Sequence, residues 1–307
     1  MCNKNRAVVT WLLVLALWLG GMWLGHQPPG PLVSGLPTHR TPSVQIPATV
    51  TAPLRVEPMP TLTPTRGAIP TRAFNPITIT IVYDNNPFDT RLKTAWGFAC
   101  LVETGKTTVL FDTGGDGALL LSNLATLGFD PRRIDAVILS HYHNDHTGGL
   151  DAVLAFNDRV TVLMPRSFPN DFKARVSRRA SVVQVSDPFT LAENIRTTGE
   201  VGTSIIEQSL IVETSRGLIV ITGCAHPGIV EIAQQASAYG DAYMIVGGFH
   251  LRDKSVGKVE SVIAELRRLG VQKVAPCHCT GEQALGLFKA EFGAGFIPAG
   301  VGAVIRE

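Results

Sequence analysis

Charge is sparse in this 307-residue chain: Asp, Glu, Lys and Arg make up 17% and nearly cancel, to a net +2. A nucleic-acid binder would concentrate basic residues on one surface, and near-neutrality argues against that class. Cysteine is scarce as well. Five residues, at 2, 100, 224, 277 and 279, are too few and too unevenly placed for a disulfide-stapled miniprotein. What is present is a globular average, 45% hydrophobic, which excludes wholesale disorder, collagen and coiled coil. The length exceeds one average domain without demanding two. This average conceals three segments of different character.

Ala7 to Gly25 is a run of nineteen residues without a charge, preceded by Lys4 and Arg6. As a helix it would be about 28 Å long, close to the hydrocarbon thickness of a bilayer. Residues 1–25 are therefore expected to form an N-terminal membrane-anchor helix, its positive flank inside and the rest of the chain extracytoplasmic. The alternative is a cleaved signal segment and a secreted domain. Cys2 precedes the apolar run, so it does not match a lipoprotein anchor site. Residues 26–75 hold eleven of the twenty prolines and eight threonines. Proline fixes φ and removes donors, so this stretch is expected to be a disordered, extended linker.

Residues 76–307 read as one α/β domain. Strands are expected at 77–83, 97–103, 107–111, 134–139, 160–164, 209–213, 217–222, 243–246 and 271–275. Helices are expected at 118–127, 229–238, 256–269 and 282–292. The 256–269 helix shows the clearest stripe, from Val256, Val259, Val262, Ile263, Leu266 and Leu269. Strands dominate early and alternate with helices late, which suggests sheets sandwiched between helices.

The chemistry gathers after the apolar strand 134–139. Ser140 to Leu150 reads SHYHNDHTGGL, placing His141, His143, Asp145 and His146 within six residues. In an extended segment alternate side chains share a face, so His141 and His143 can meet at one ion. A turn into Thr147-Gly148-Gly149 would carry Asp145 and His146 toward a second. Imidazole and carboxylate ligands suit zinc, iron or manganese. Of eight histidines, three more follow apolar strands: His226 in GCAHPG, His250 in GGFHL and His278 in PCHCTG. His226 and His278 are expected to complete two metal sites. His250 is a candidate ligand or substrate-binding residue. Cys277 and Cys279 read as small buried side chains flanking a ligand rather than a mutually bonded pair.

SHYHNDHTGGL resembles the H-x-H-x-D-H signature of the metallo-β-lactamase fold superfamily, and Phe111-Asp112-Thr113-Gly114 resembles its first motif. EQSL (207–210), GCAHPGI (223–229), GGFHL (247–251) and HCTG (278–281) are similar to one branch. That branch is named by analogy with 7,8-dihydropterin-6-methyl-4-(β-D-ribofuranosyl)aminobenzene-5′-phosphate synthase. The resemblance implies a four-layer αββα sandwich over 76–307, with a metal site between its sheets. It implies His141, His143 and His226 in one metal site, and Asp145, His146 and His278 in the other. Asp112 would orient the loop without binding metal. One position departs from the pattern: where the superfamily often has Gly-Asp, supplying a bridging aspartate, this chain has Gly223-Cys224. A thiolate is a good zinc ligand, so Cys224 is expected to coordinate or line the site.

The expected activity is metal-dependent hydrolysis of a small ester, phosphoester, thioester or amide by a water activated between two divalent ions, zinc first among them. Asp145 beside that water would guide its proton. The alternatives are an extracytoplasmic metal or ligand sensor, or a cysteine-dependent hydrolase built on Cys224 with His226, or on Cys277 or Cys279 with His278. Specificity is assigned to loops between roughly 165 and 209. There Arg166, Lys173, Arg175, Arg178 and Arg179 either attract an anionic substrate or form a solvated basic face.

Overall fold

The computed structural model describes residues 76–307. The anchor and linker expected at 1–25 and 26–75 lie outside the described residues. Among the described residues no helix is long and apolar enough to cross a membrane.

The first sheet begins as an antiparallel meander, β1 (Thr78–Tyr83), β2 (Ala99–Glu103) and β3 (Thr108–Phe111). It continues in parallel through β4 (Ala136–Ile138), β5 (Thr161–Pro165) and β6 (Ser181–Val185). Parallel neighbours need crossovers, and these are helical. They are α1 (Gly117–Thr126) before β4, α2 (Asn144–Thr147) and α3 (Leu150–Phe156) before β5, and α4 (Asn170–Ser177) before β6. The second sheet runs antiparallel through β7 (Thr190–Ala192), β8 (Ile195–Thr197), β9 (Leu210–Thr214) and β10 (Gly217–Thr222). It then turns parallel in β11 (Ala242–Gly248) and β12 (Lys273–Cys277). Here α5 (Ile229–Ala236) and α6 (Val256–Arg268) make the crossovers, and α7 (Glu282–Phe292) follows. The chain ends by returning β13 (Val304–Arg306) to the first sheet, antiparallel to β1.

Three apolar cores fix the layers. One lies between the sheets, joining Ile79, Ile81, Phe111 and Ile138 to Leu210, Ile219, Ile221 and Val246. A second packs α1, α3 and α4 on the outer face of the first sheet, through Leu120, Leu124, Val153 and Phe172. The third packs α5, α6 and α7 on the second sheet. Each sheet is therefore covered on both faces, which explains why β10 and β11 read as continuous apolar runs rather than alternating ones.

In α6, Val259, Val262, Ile263 and Leu266 are buried, each stabilising by roughly 1.5–3 kcal/mol. Val256, expected in the stripe, is 41% exposed because it opens the first turn, directly after the Ser255 cap. The region 165–209, expected as loops, holds α4 and β6 to β8.

This topology aims the chemistry. β3 and β4 run parallel in one sheet, and β10, β11 and β12 run parallel in the other. Their carboxyl ends release the segments starting at Asp112, Ser140, Gly223, Phe249 and His278. The sheets are tied at that end by Gln208, whose backbone N–H donates to Ser140 O and whose Nε2 donates to Leu139 O, both at 2.9 Å. The approach is tight at Gly223, where a Cβ would lie 2.1 Å from Ser140 Oγ.

Candidate metal centre

The loop after β4 is positioned by one carboxylate. Asp112, at φ 57°, ends β3 in the left-handed region and turns its side chain inward. Its Oδ1 accepts from Ser140 N, and its Oδ2 accepts from Ser140 Oγ, each at 2.7 Å. Oδ2 also accepts from His146 Nδ1 at 2.7 Å. Burial alone would lower the His146 pKa, but the Asp112 charge and hydrogen bond carry it up to about 8.

These bonds settle tautomers. The Ser140 hydroxyl spends its proton on Asp112, so at 2.9 Å it accepts from His141 Nδ1–H. His141 Nε2 is left as a lone pair, 3.0 Å from His143 Nδ1. That separation suits two ligands of one ion with bonds of about 2.0–2.1 Å. His278 is arranged likewise. Asn85 Nδ2 donates to His278 O at 3.2 Å, so its Oδ1 accepts from His278 Nδ1–H at 2.9 Å. His278 Nε2 then faces Asp145 Oδ2 at 3.4 Å.

A second buried carboxylate holds the loop after β10. Glu207 accepts from the N–H groups of Gly223, Cys224, Ala225 and His226, at 3.1, 2.9, 2.9 and 3.0 Å. Burial raises its pKa, and three of those amides oppose the rise. Ala225 adopts φ 61° within this cradle. The loop thereby delivers the His226 ring to centroid distances of 4.7 Å from His141 and 4.9 Å from His143.

The six residues expected as ligands thus lie together. His141, His143 and His226 adjoin one another, and His146 Nε2 lies 3.5 Å from Asp145 Oδ2. Cys224 sits between the two groups. Its Sγ is 3.3 Å from His146 Nε2, and it falls within 4.8 Å both of His141 and His226 and of His146 and His278. Contact with Cys279 and burial push its thiol pKa up, so a cation must displace the proton before Cys224 could ligate. His250, at φ 53°, is exposed, its ring 4.3 Å from His226, and it forms a further group of potential ligand atoms with Cys224 and Cys279, all within 4.8 Å of one another. Cys100, Cys224, Cys277 and Cys279 are buried and free. Asp241 is exposed directly before β11.

The donor set fits divalent cations. Nε2 of His226 and of His278 are buried without a hydrogen-bond partner among the described residues. Burial and neighbouring histidines lower the pKa of His141, and push that of His226 down to about 3, which keeps both as neutral ligands. For Asp145, burial alone would raise the pKa, but His278 and His146 together bring it below the usual carboxylate range. Two functional groups escaped the sequence reading as separate features. Glu207 appeared only inside the EQSL motif, and Asn85 lies 193 positions from the histidine it orients. No local spacing signals either.

Residues 97–230 match the family model of the metallo-beta-lactamase superfamily. The chain is 28% identical over 282 residues to the 7,8-dihydropterin-6-methyl-4-(beta-D-ribofuranosyl)-aminobenzene-5′-phosphate synthase of Methanocaldococcus jannaschii, covering 74% of this chain and 95% of that one. The crystal structure of a metal-dependent hydrolase of the beta-lactamase superfamily superposes with a TM-score of 0.63 at 28% identity, over 75% of this chain and 98% of the other. The metallo-beta-lactamase fold protein YhfI from Bacillus subtilis superposes with a TM-score of 0.58 at 16% identity, over 76% and 100%. Cys224, directly after Gly223, stands where the resemblance to that superfamily leads to the expectation of an aspartate.

Proposed function

We propose that this domain is a metal-dependent hydrolase with two adjacent divalent-cation sites. The observation that carries the reading is the set of locked imidazoles. Nδ1–H groups of His141, His146 and His278 are spent on Ser140, Asp112 and Asn85, so each ring turns its Nε2 inward as the nitrogen left to ligate. A cation among them would engage the partnerless Nε2 atoms of His226 and His278 and displace the second proton of His146.

His141, His143 and His226 would hold one ion, and Asp145, His146 and His278 the other, with Cys224 reaching both. When bound, the pair of ions supplies an activated water near neutral pH and charge stabilisation for an oxyanion. The protein's own part is orientation. Asp112 fixes His146 and the Ser140 turn, and Glu207 fixes the loop carrying Cys224 and His226. Asn85 fixes His278. Asp145, half-buried and held ionised by His146 and His278, is placed to accept a proton beside the centre. The similarity to a metal-dependent hydrolase supports the reaction class, and the donor chemistry supports zinc first, with iron or manganese next.

The test is turnover by the purified chain on aryl ester, phosphodiester, thioester and amide substrates, with and without a chelator. Hydrolysis that stops on chelation and returns with zinc or manganese is expected. Turnover indifferent to the chelator would transfer the case to a cysteine nucleophile. Tightly bound metal with no turnover of any substrate would favour a sensor, or a synthase like the archaeal relative.

A further inference from the structure

The basic residues first considered for substrate attraction are occupied elsewhere. Arg175 and Arg179 both pair with Asp151, and Lys173 Nζ donates to Arg166 O at 2.8 Å. The chemistry that the hydrolase reading leaves unused lies in the cysteines. Cys100 and Cys277 are fully buried in the core between the sheets. Cys224 and Cys279 differ from them, since each follows a strand end, β10 and β12, at the proposed centre. Cys279 also borders a cleft of about 180 Å³, with His250 in the same wall. That volume admits several molecules the size of water.

We propose that Cys224 and Cys279 form a redox pair, which a peroxide oxidises to a disulfide that withdraws Cys224 from the metal centre. The pairing stands on the geometry of the two thiols, and its effect on metal rests on the hydrolase reading. The two Sγ atoms lie within 4.8 Å of each other, and Cys279 Sγ donates to Cys224 O at 3.5 Å. To reach an S–S bond each sulfur moves at most roughly 1.4 Å, a range that side-chain rotation covers. The backbone is built for this approach. A Cβ on Gly248 would lie 2.7 Å from Cys279 Sγ and 3.2 Å from Cys224 Cα, so glycine alone leaves the room. His250 and His278, at φ 53° and 49°, both adopt left-handed backbone without being glycine. Such conformations cost about 1–3 kcal/mol each and persist only where the surroundings impose them. Here the two turns are joined, Arg252 N–H donating to Cys279 O at 3.2 Å and Phe249 N–H to Thr280 Oγ1 at 3.1 Å.

Cys224 therefore has two alternative partners. On one side its Sγ is 3.3 Å from His146 Nε2, and on the other it faces Cys279. A ring nitrogen of His250 lies within 4.8 Å of both sulfurs, placed to accept the Cys279 proton. The Cys279 sulfur then attacks one oxygen of hydrogen peroxide. The O–O bond breaks, and hydroxide leaves as water with the proton from His250. The resulting Cys279 sulfenic acid is attacked by the Cys224 sulfur. The S–S bond forms, the S–O bond breaks, and the second hydroxide leaves as water with the Cys224 proton. Two thiols and one peroxide become one disulfide and two waters, the thiols giving up two electrons. A cation on Cys224 blocks the second step, and the disulfide excludes the cation. Metal and oxidant compete for one sulfur.

The experiment treats the purified full chain with hydrogen peroxide and reads intact mass, non-reducing peptide maps and metal content, before and after dithiothreitol. The parent is expected to lose two hydrogens, to yield a peptide linking Cys224 to Cys279, and to release at least one ion. Dithiothreitol with added zinc should reverse all three changes. Cys279→Ser should form no such link and keep its metal under the same treatment. Cys100→Ser, whose thiol lies in the core, should behave like the parent. Saturating zinc beforehand is expected to slow the linkage by about tenfold or more. Absence of the link overturns the proposal, as does a different pair, Cys277 with Cys279 or any link through Cys2. A link that leaves metal undiminished overturns the withdrawal of Cys224. Three ions per parent chain, falling to two in Cys279→Ser, would give these sulfurs to a third cation and overturn it likewise. The map of the parent decides alone if a variant fails to fold. A Cys224–Cys279 link in a parent that never holds metal would leave the pair standing and sink the hydrolase reading separately.

Discussion

Glu207 carries more local order than any other side chain around the centre, because one carboxylate satisfies four consecutive amides. Glu207→Gln keeps the size but replaces one accepting oxygen with a donor that faces N–H groups. The expected cost is about 1–3 kcal/mol in denaturant unfolding. Metal affinity should also fall, since Cys224 and His226 ride on that loop. Asp112→Asn probes the other anchor. Oδ2 accepts from both Ser140 and His146, so an amide there loses one of these bonds and the favoured His146 tautomer. A roughly 10- to 100-fold loss of metal affinity is expected, read by competition with a chromophoric chelator. Parental affinity in Asp112→Asn would remove Asp112 from its orienting role.

At the scale of elements, the fold rests on close packing of strand ends as much as on apolar burial. Gly223→Ala would place a methyl 2.1 Å from Ser140 Oγ and 2.8 Å from Asp112 Oδ2. The expected loss is about 1–3 kcal/mol, with separation of the two sheets at the metal end. Leu266→Ala, far from the site in α6, should cost about 2–5 kcal/mol and leave metal affinity unchanged. Thermal unfolding and metal titration of the same two variants separate these outcomes. Long apolar elements were legible in the sequence: β10, β11 and α6 each stand within three residues of the expected ends. Among three-residue strands only β4, inside the apolar run 134–139, was legible. β7, β8 and β13 have three residues each, too few to show a period, and pairing rather than composition makes them strands. The α3 and α4 helices follow a metal-ligand loop and a proline, where polar motifs and turn signals mask the helical pattern. Within the site, ligands with tight spacing could be read directly. Asn85 and Glu207 could not, because their partners are distant in sequence and only the tertiary fold joins them.

At the scale of the molecule, stability and metal occupancy should be linked. Ions that bind the folded chain alone stabilise it by about 2.7 kcal/mol at a hundredfold excess over Kd. Chelation should then lower the melting temperature by several degrees, in proportion to free metal. Affinity should also depend on pH with a definite sign. Below its pKa of about 8, His146 carries a second proton on Nε2, which an ion must displace. Affinity is therefore expected to rise from pH 6 to pH 8, with proton release visible as a buffer-dependent binding enthalpy. An affinity that falls over that range would place His146 outside the ligand set.

The most direct measurement is elemental analysis of the purified full-length chain beside His143→Ala and His278→Ala. About two divalent ions per parent chain are expected, and about one in each variant, since the substitutions empty different sites. Undiminished metal in both variants, or a parent that binds no metal at any pH where it is folded, would contradict the account.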